Sequence, residues 1–284
     1  MISEKIRNPL SLFDVRDKVA IITGASGSFG HACAVALGAL GAKLLLASGT
    51  AEELETVVKD VRDVGGNVAS IVRRPDTLAD AEAILKAALD AHGRVDQLVV
   101  ASGTNKAGFI ENQSYEDWQR VMDANVRGPW LMAKAVGSYW IKEGIKGKVV
   151  LMSSTRGRHG NFSGYTAYCS SKGATDALTR VLATEWAKYG TTVNAIAPTT
   201  FRSKLTEWMW KDDDVGNATR TRTLSRIPLG RLGEAEDLVG MAIYLLSPAS
   251  DFCTGQVMYV DGGFTPAPRS RRSGGFSTGR RCRQ

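Results

Sequence analysis

Seven short aliphatic runs recur along the chain with helix-like segments between them, and this alternation restricts the fold more than any other feature. Residues 19–23, 44–47, 68–72, 97–101, 149–152, 193–197 and 257–260 read as strands. Most are nearly unbroken β-branched or aliphatic stretches, as expected of strands buried on both faces of a parallel sheet. Segments 51–64, 78–92, 115–142, 168–189 and 234–246 read as helices. The alternation predicts an α/β fold with a doubly wound parallel sheet of seven strands, helices on both faces and right-handed crossovers. A length of 284 residues fits two small domains or one α/β domain. With no internal repeat and no Pro/Gly linker before Phe264, a single domain over 1–264 is expected.

Composition removes several function classes. At 43% hydrophobic and 23% charged residues, the chain supports a sizeable core and is not dominated by disorder. The most apolar run, 32–47, is shorter than the ~20 residues a bilayer requires and contains Lys43. The first turns carry Glu4, Lys5, Arg7 and Asp14, so no signal peptide or membrane association is expected. The net charge of +7 is a property of the end: residues 265–284 contain six arginines and no acid, which leaves the body at +1. Such a tail buries too little to order itself. A near-neutral body with no basic stripe argues against nucleic acid as the partner. Cys33, Cys169, Cys253 and Cys282 form no CxxC pair and read as free thiols of a reducing compartment, the cytoplasm. His31, His92 and His159 lack metal-ligand spacing, so no metal site is expected.

The first strand runs directly into Thr23-Gly24-Ala25-Ser26-Gly27-Ser28-Phe29-Gly30, and an alanine-rich helix follows. A tight strand-to-helix turn of this kind turns backbone N–H groups and a helix N-terminus towards a pyrophosphate, the Rossmann-type arrangement. Gly24, Ser26, Gly27, Ser28, Phe29 and Gly30 are therefore candidate dinucleotide contacts. The acid expected about 20 residues later, which would accept the ribose hydroxyls of NAD, is missing. The second strand ends instead in Ser48-Gly49-Thr50, which carries no charge to repel a 2′-phosphate. Arg73 and Arg74 end the third strand on the adenine side of such a sheet. NADP is favoured over NAD.

Downstream of the fifth strand come Ser153-Ser154 and then Tyr168-Cys169-Ser170-Ser171-Lys172. A spacing of four puts Tyr168 and Lys172 on one helix face. A phenol titrates at about 10, and a neighbouring ammonium would favour the phenolate and lower that value. Tyr165 is the rival phenol, but the residue four positions on is Cys169, which cannot play the lysine part.

Together these residues resemble the short-chain dehydrogenase/reductase family over nearly the whole body, from Phe13-Asp14-Val15 to Val260-Asp261-Gly262-Gly263. The segment Asn125-Val126-Arg127-Gly128 is similar to the family's Asn motif, and Ser154, Tyr168 and Lys172 match its catalytic residues. Phe13-Asp14, Arg156-Gly157-Arg158-His159-Gly160 and Ile227-Pro228-Leu229-Gly230-Arg231 make it most similar to the gluconate 5-dehydrogenase-like group. The departures all touch cofactor contacts. The glycine turn has its middle glycine one place early, at Gly27-Ser28; Val100-Ala101-Ser102-Gly103 stands for Asn-Asn-Ala-Gly; Pro198-Thr199 stands for Pro-Gly, with Ser203 for a threonine; and Arg74 stands for an adenine-contacting acid.

The resemblance implies reversible, NAD(P)-dependent hydride transfer between nicotinamide and a secondary alcohol or ketone, a sugar acid or polyol being candidate substrates. Tyr168 would be the general base or acid and Ser154 would hold the substrate oxygen. Lys172 would hold the nicotinamide ribose and Asn125 a relay water. Ala101, Ser102, Gly103, Pro198, Thr199 and Ser203 would complete the cofactor site. Arg156, Arg158 and His159 are candidates for a substrate carboxylate or for a surface role. Trp208, Met209 and Trp210 lie where the family keeps its substrate lid. A homotetramer, or a dimer, built on segments 115–142 and 168–189 is also implied. Leu131, Met132, Val136, Tyr139, Leu178, Leu182 and Trp186 are candidates for burial against the sheet or a neighbour. The competing reading is a dinucleotide-binding regulator without turnover.

Overall fold

The computed structural model describes residues 4–211 and 213–267, without the side chains of Lys204 and Leu205. The arginine-rich tail therefore lies outside the described residues except for its first three. Among the described residues one seven-stranded sheet forms from β1 (Val19–Thr23), β2 (Lys43–Ser48), β3 (Asn67–Val72), β4 (Gln97–Val100), β5 (Lys148–Met152), β6 (Thr192–Pro198) and β7 (Val257–Val260). Every pairing is parallel and the order is β3-β2-β1-β4-β5-β6-β7. The order reverses between β1 and β4, which opens a crevice at the carboxyl ends of the two central strands.

The helices are α1 (Glu4–Arg7), α2 (Ser28–Ala39), α3 (Ala51–Asp63), α4 (Leu78–His92), α5 (Tyr115–Met122), α6 (Gly128–Glu143), α7 (Thr166–Trp186), α8 (Asp214–Leu224) and α9 (Glu236–Leu246). Because side chains alternate along a strand, each strand feeds both faces. Ile21, Leu45, Leu98 and Leu151 meet Ile84 of α4, Met132 and Trp140 of α6 and Trp186 of α7. Ala20, Ile22, Leu44 and Val99 meet Leu37 of α2, Leu54 and Val61 of α3 and Leu245 of α9. Full burial of a Leu-sized side chain contributes about 2 kcal/mol, so these two layers supply most of the driving force. The edge strands depart from the predicted two-sided burial. β3 is exposed or half-buried at every position and β7 is half-buried throughout, since each has a neighbour on one side only.

Five helix-to-strand turns close on a left-handed glycine: Gly41, Gly65, Gly93, Gly144 and Gly190, with φ between 65° and 82°. These turns occupy the edge of the sheet opposite the crevice. The segment read as one helix over 115–142 is α5 and α6 joined by a π-helical turn, Asp123–Arg127. The seven interface candidates find their cover inside the chain. Leu131, Met132, Val136, Leu182 and Trp186 are buried in the sheet-facing layer and Tyr139 and Leu178 pack against it. Trp140 and Trp186 meet edge to face at 6.5 Å, and Gly137 leaves room for Trp186.

Candidate active site

Most of the predicted site residues gather at the carboxyl ends of the strands, on the loops there and on the helices that follow them. Gly24 leaves β1 at φ +68°, and a Cβ there would collide with the Ala101–Ser102 backbone. Only glycine allows this approach. Gly30 in the first turn of α2 is likewise pressed against the Gly24 carbonyl. Gly27 caps α2 with no side-chain bond, and its carbonyl accepts the His31 N–H at 2.8 Å. The N–H groups of Ser28, Phe29 and Gly30 thus have no partner within the helix and face outward. Nearby, Ser102 Oγ and Asn105 Oδ1 are buried without a hydrogen-bond partner. A concave turn free of Cβ atoms, unsatisfied donors at a helix N-terminus and an orphaned hydroxyl fit a dinucleotide pyrophosphate and its ribose.

At the end of β2, the Ser48 hydroxyl hydrogen-bonds the Ser26 hydroxyl at 2.7 Å and ties the strand to the turn. Gly49 follows, then Thr50 as the N-cap of α3 without a side-chain cap bond. Beyond β3, Arg74 lies over Gly49.

Asn125 sits inside the π-helical turn and is 1% exposed. Its Oδ1 accepts the Thr104 N–H at 2.8 Å, and its Nδ2 donates to Thr104 O and to Ser171 Oγ, each at 2.9 Å. The widened turn presents this amide to the loop after β4 and to α7 together. Gly103 lies between Asn125 and Lys172: a Cβ on it would stand 3.2 Å from Asn125 Oδ1 and 3.5 Å from Lys172 Nζ. Tyr168 and Lys172 share a face of α7, with the ammonium 5.6 Å from the phenol ring centre. Lys172 is buried and donates to Met152 O at 2.7 Å. Burial draws its pKa down to about 8, against the attraction of Asp176.

The Tyr168 phenol departs from the expected direction. Burial pushes its pKa up, and hydrogen bonding to Ser154 and the charge of Arg156 oppose that only in part. Lys172 lies beside the ring with its ammonium committed to the Met152 carbonyl, so desolvation prevails over the expected lowering. Tyr165 stands edge-on to Tyr168 at 6.1 Å.

Arg156 is half-buried next to both tyrosines, its guanidinium donating to Gly160 O at 3.0 Å and lying 5.5 Å from the Phe264 ring. Burial lowers its pKa, and among the described residues it makes no ion pair. Arg158 turns away towards Tyr259, and His159 packs edge-on against Phe264. Ser203 is engaged in a capping box with Thr206, and Thr199 borders a cavity of about 120 Å³ near Ile227 and Gly262. Of the lid candidates, Met209 is buried, Trp208 is exposed, and Trp210 lies 3.9 Å beneath the Arg202 guanidinium.

One residue escaped the sequence reading. Asp176 is 6% exposed, accepts a hydrogen bond from Ser153 Oγ and faces Lys172. The available signal was its place four residues after Lys172, on the same helix face.

The geometry agrees with comparisons to known proteins. A family model described as enoyl-(acyl carrier protein) reductase matches residues 24–265. An uncharacterized oxidoreductase of Mycobacterium tuberculosis is 52% identical over 90% of this chain and 94% of its own. The 2-dehydro-3-deoxy-D-gluconate 5-dehydrogenase of Dickeya dadantii is 34% identical over 90% and 98%. Among solved structures, a gluconate 5-dehydrogenase from Burkholderia cenocepacia, in complex with NADP and tartrate, superposes with a TM-score of 0.85 at 30% identity, covering 92% of this chain and 100% of that one. With sequence, fold and crevice in agreement, this chain is an oxidoreductase of the short-chain dehydrogenase/reductase family.

Proposed function

We propose that the chain catalyses reversible NADP-dependent hydride transfer at the secondary alcohol carbon of a hydroxy acid of the sugar-acid class. The carrying observation is the convergence of Asn125, Ser154, Tyr168 and Lys172 beside the glycine turn, at one end of the sheet. The nicotinamide supplies the hydride acceptor or donor when bound. Ser154 orients the substrate oxygen and stabilises charge developing on it. Tyr168 exchanges a proton with that oxygen: its raised pKa keeps it protonated at neutral pH, ready to donate to a ketone. In the oxidising direction it must first lose the proton, which Ser154 and Arg156 favour. Lys172 would hold the cofactor ribose, and Asn125 ties the loop after β4 to α7 through Thr104 and Ser171.

A carboxylate in the substrate is supported by Arg156, a half-buried cation beside the reacting phenol and without an acidic partner among the described residues. The tartrate in the Burkholderia neighbour is in keeping with it. The exposed Trp130, Ile141 and Val181 on α6 and α7 support a homotetramer. Free Cys33, Cys169 and Cys253 support a cytoplasmic setting. No helix among the described residues is long and apolar enough to cross a membrane.

The test is a panel of sugar acids, polyols and aryl ketones with NADP and NAD in turn, followed by absorbance of the reduced cofactor. Sugar acids should turn over best, and Arg156→Gln should raise KM for them while sparing neutral substrates. Tyr168→Phe should lower kcat by about 10²–10⁴-fold with NADPH still bound. Activity within tenfold of the parent would remove Tyr168 from the chemistry.

A further inference from the structure

We propose that Arg74, folded back across Gly49, is the side chain that selects a 2′-phosphorylated dinucleotide; this rests on the NADP-dependent reading above. The neighbouring ends of β2 and β3 set the location. Ser48 stands opposite Val72, so the two residues after β3 emerge beside Gly49 and Thr50. That is where the adenosine ribose of a dinucleotide held by the glycine turn must lie. No carboxylate ends β2, so nothing there binds free ribose hydroxyls as a pair of acceptors or repels a phosphate.

The two consecutive arginines have different commitments. Arg73 donates to Asp80 at 2.6 Å, and Asp80 is itself held by the capping box that opens α4. The Arg74 side chain is exposed and makes no hydrogen bond or ion pair among the described residues. Its Cγ, Cδ and Nε occupy the space a Cβ on Gly49 would need. Gly49 is not among the glycines with positive φ, so its backbone does not call for glycine. The absent side chain makes room for Arg74. The result is a guanidinium held over the end of β2 with its donor fork unspent. A guanidinium matches a phosphate bidentately, and an uncommitted one loses no existing partner on binding.

The assay is equilibrium binding by quenching of protein fluorescence, with NADPH, NADH and the fragments 2′-AMP and 5′-AMP as probes. Arg74→Gln should weaken NADPH and 2′-AMP by about 10–100-fold, as expected for loss of charge-assisted hydrogen bonds, and leave NADH and 5′-AMP within about twofold. Gly49→Ala should reproduce the selective loss by displacing Arg74, whereas Arg73→Gln should not. Retained NADH affinity shows that each variant is folded. Equal losses for NADPH and NADH, or no loss for either, overturn the assignment while leaving the NADP-dependent reading intact. A parent chain that binds neither dinucleotide overturns that reading itself.

Discussion

The site holds a buried ammonium on Lys172. Lys172 is 3% exposed, and its pKa falls from 10.5 to about 8 because burial disfavours the charge. The unfolded chain holds that proton up to its ordinary value, so between about pH 8 and 10.5 folding releases it and stability rises with pH. Below about 8 the charge costs roughly 3 kcal/mol, partly offset by the bond to Met152, which contributes about 1 kcal/mol. Lys172→Met should therefore abolish turnover yet melt at a higher temperature than the parent at pH 7, with the gain fading as pH rises to 10.5. A lower melting temperature at pH 7 would contradict this account. The spacing of Tyr168 and Lys172 was legible because helical periodicity is local. The direction of the phenol's shift was not, since it depends on desolvation by distant segments. Asp176 was missed for the same reason: its partner Ser153 comes from another element.

The chain between α5 and α6 shows where a sequence pattern and an element diverge. Periodicity over 115–142 reads as one helix, but five residues form a wider turn that aims Asn125 at Thr104 and Ser171. Asn125→Leu would leave the Thr104 N–H and carbonyl without partners, a cost of about 2–4 kcal/mol. A fall in Tm of roughly 5–15 °C is expected, measurable by calorimetry. An unchanged Tm would show that the turn is held by other contacts. The strands were legible as continuous aliphatic runs because a central parallel strand is covered on both faces. α8 and the helical turns before β1 were not. α8 buries only Gly216 and α1 buries nothing, so neither carries an apolar stripe to announce it.

In the whole molecule, the two long helices turn Trp140 and Trp186 onto their own sheet. What remains outside on them is Trp130 at 46%, Ile141 at 40% and Val181 at 52% exposure. These residues are where partner subunits should meet. Light scattering is expected to give a mass near four times the 30.5 kDa chain, and Val181→Glu should reduce it. A 30.5 kDa species for the parent at micromolar concentration would defeat the assembly. The fold class could be read from the alternation because each βαβ unit is local in sequence. The site's polarity could be read as well, since glycine turns after strands and glycine caps after helices differ in pattern. The two sets of loops have different duties. Those after the strands carry candidate site residues, and the five glycine-closed turns at the opposite edge carry none. That edge is a handle: a bead, electrode or fused reporter attached through the exposed turn at Gly65 would hold the enzyme with its crevice facing the bulk solution.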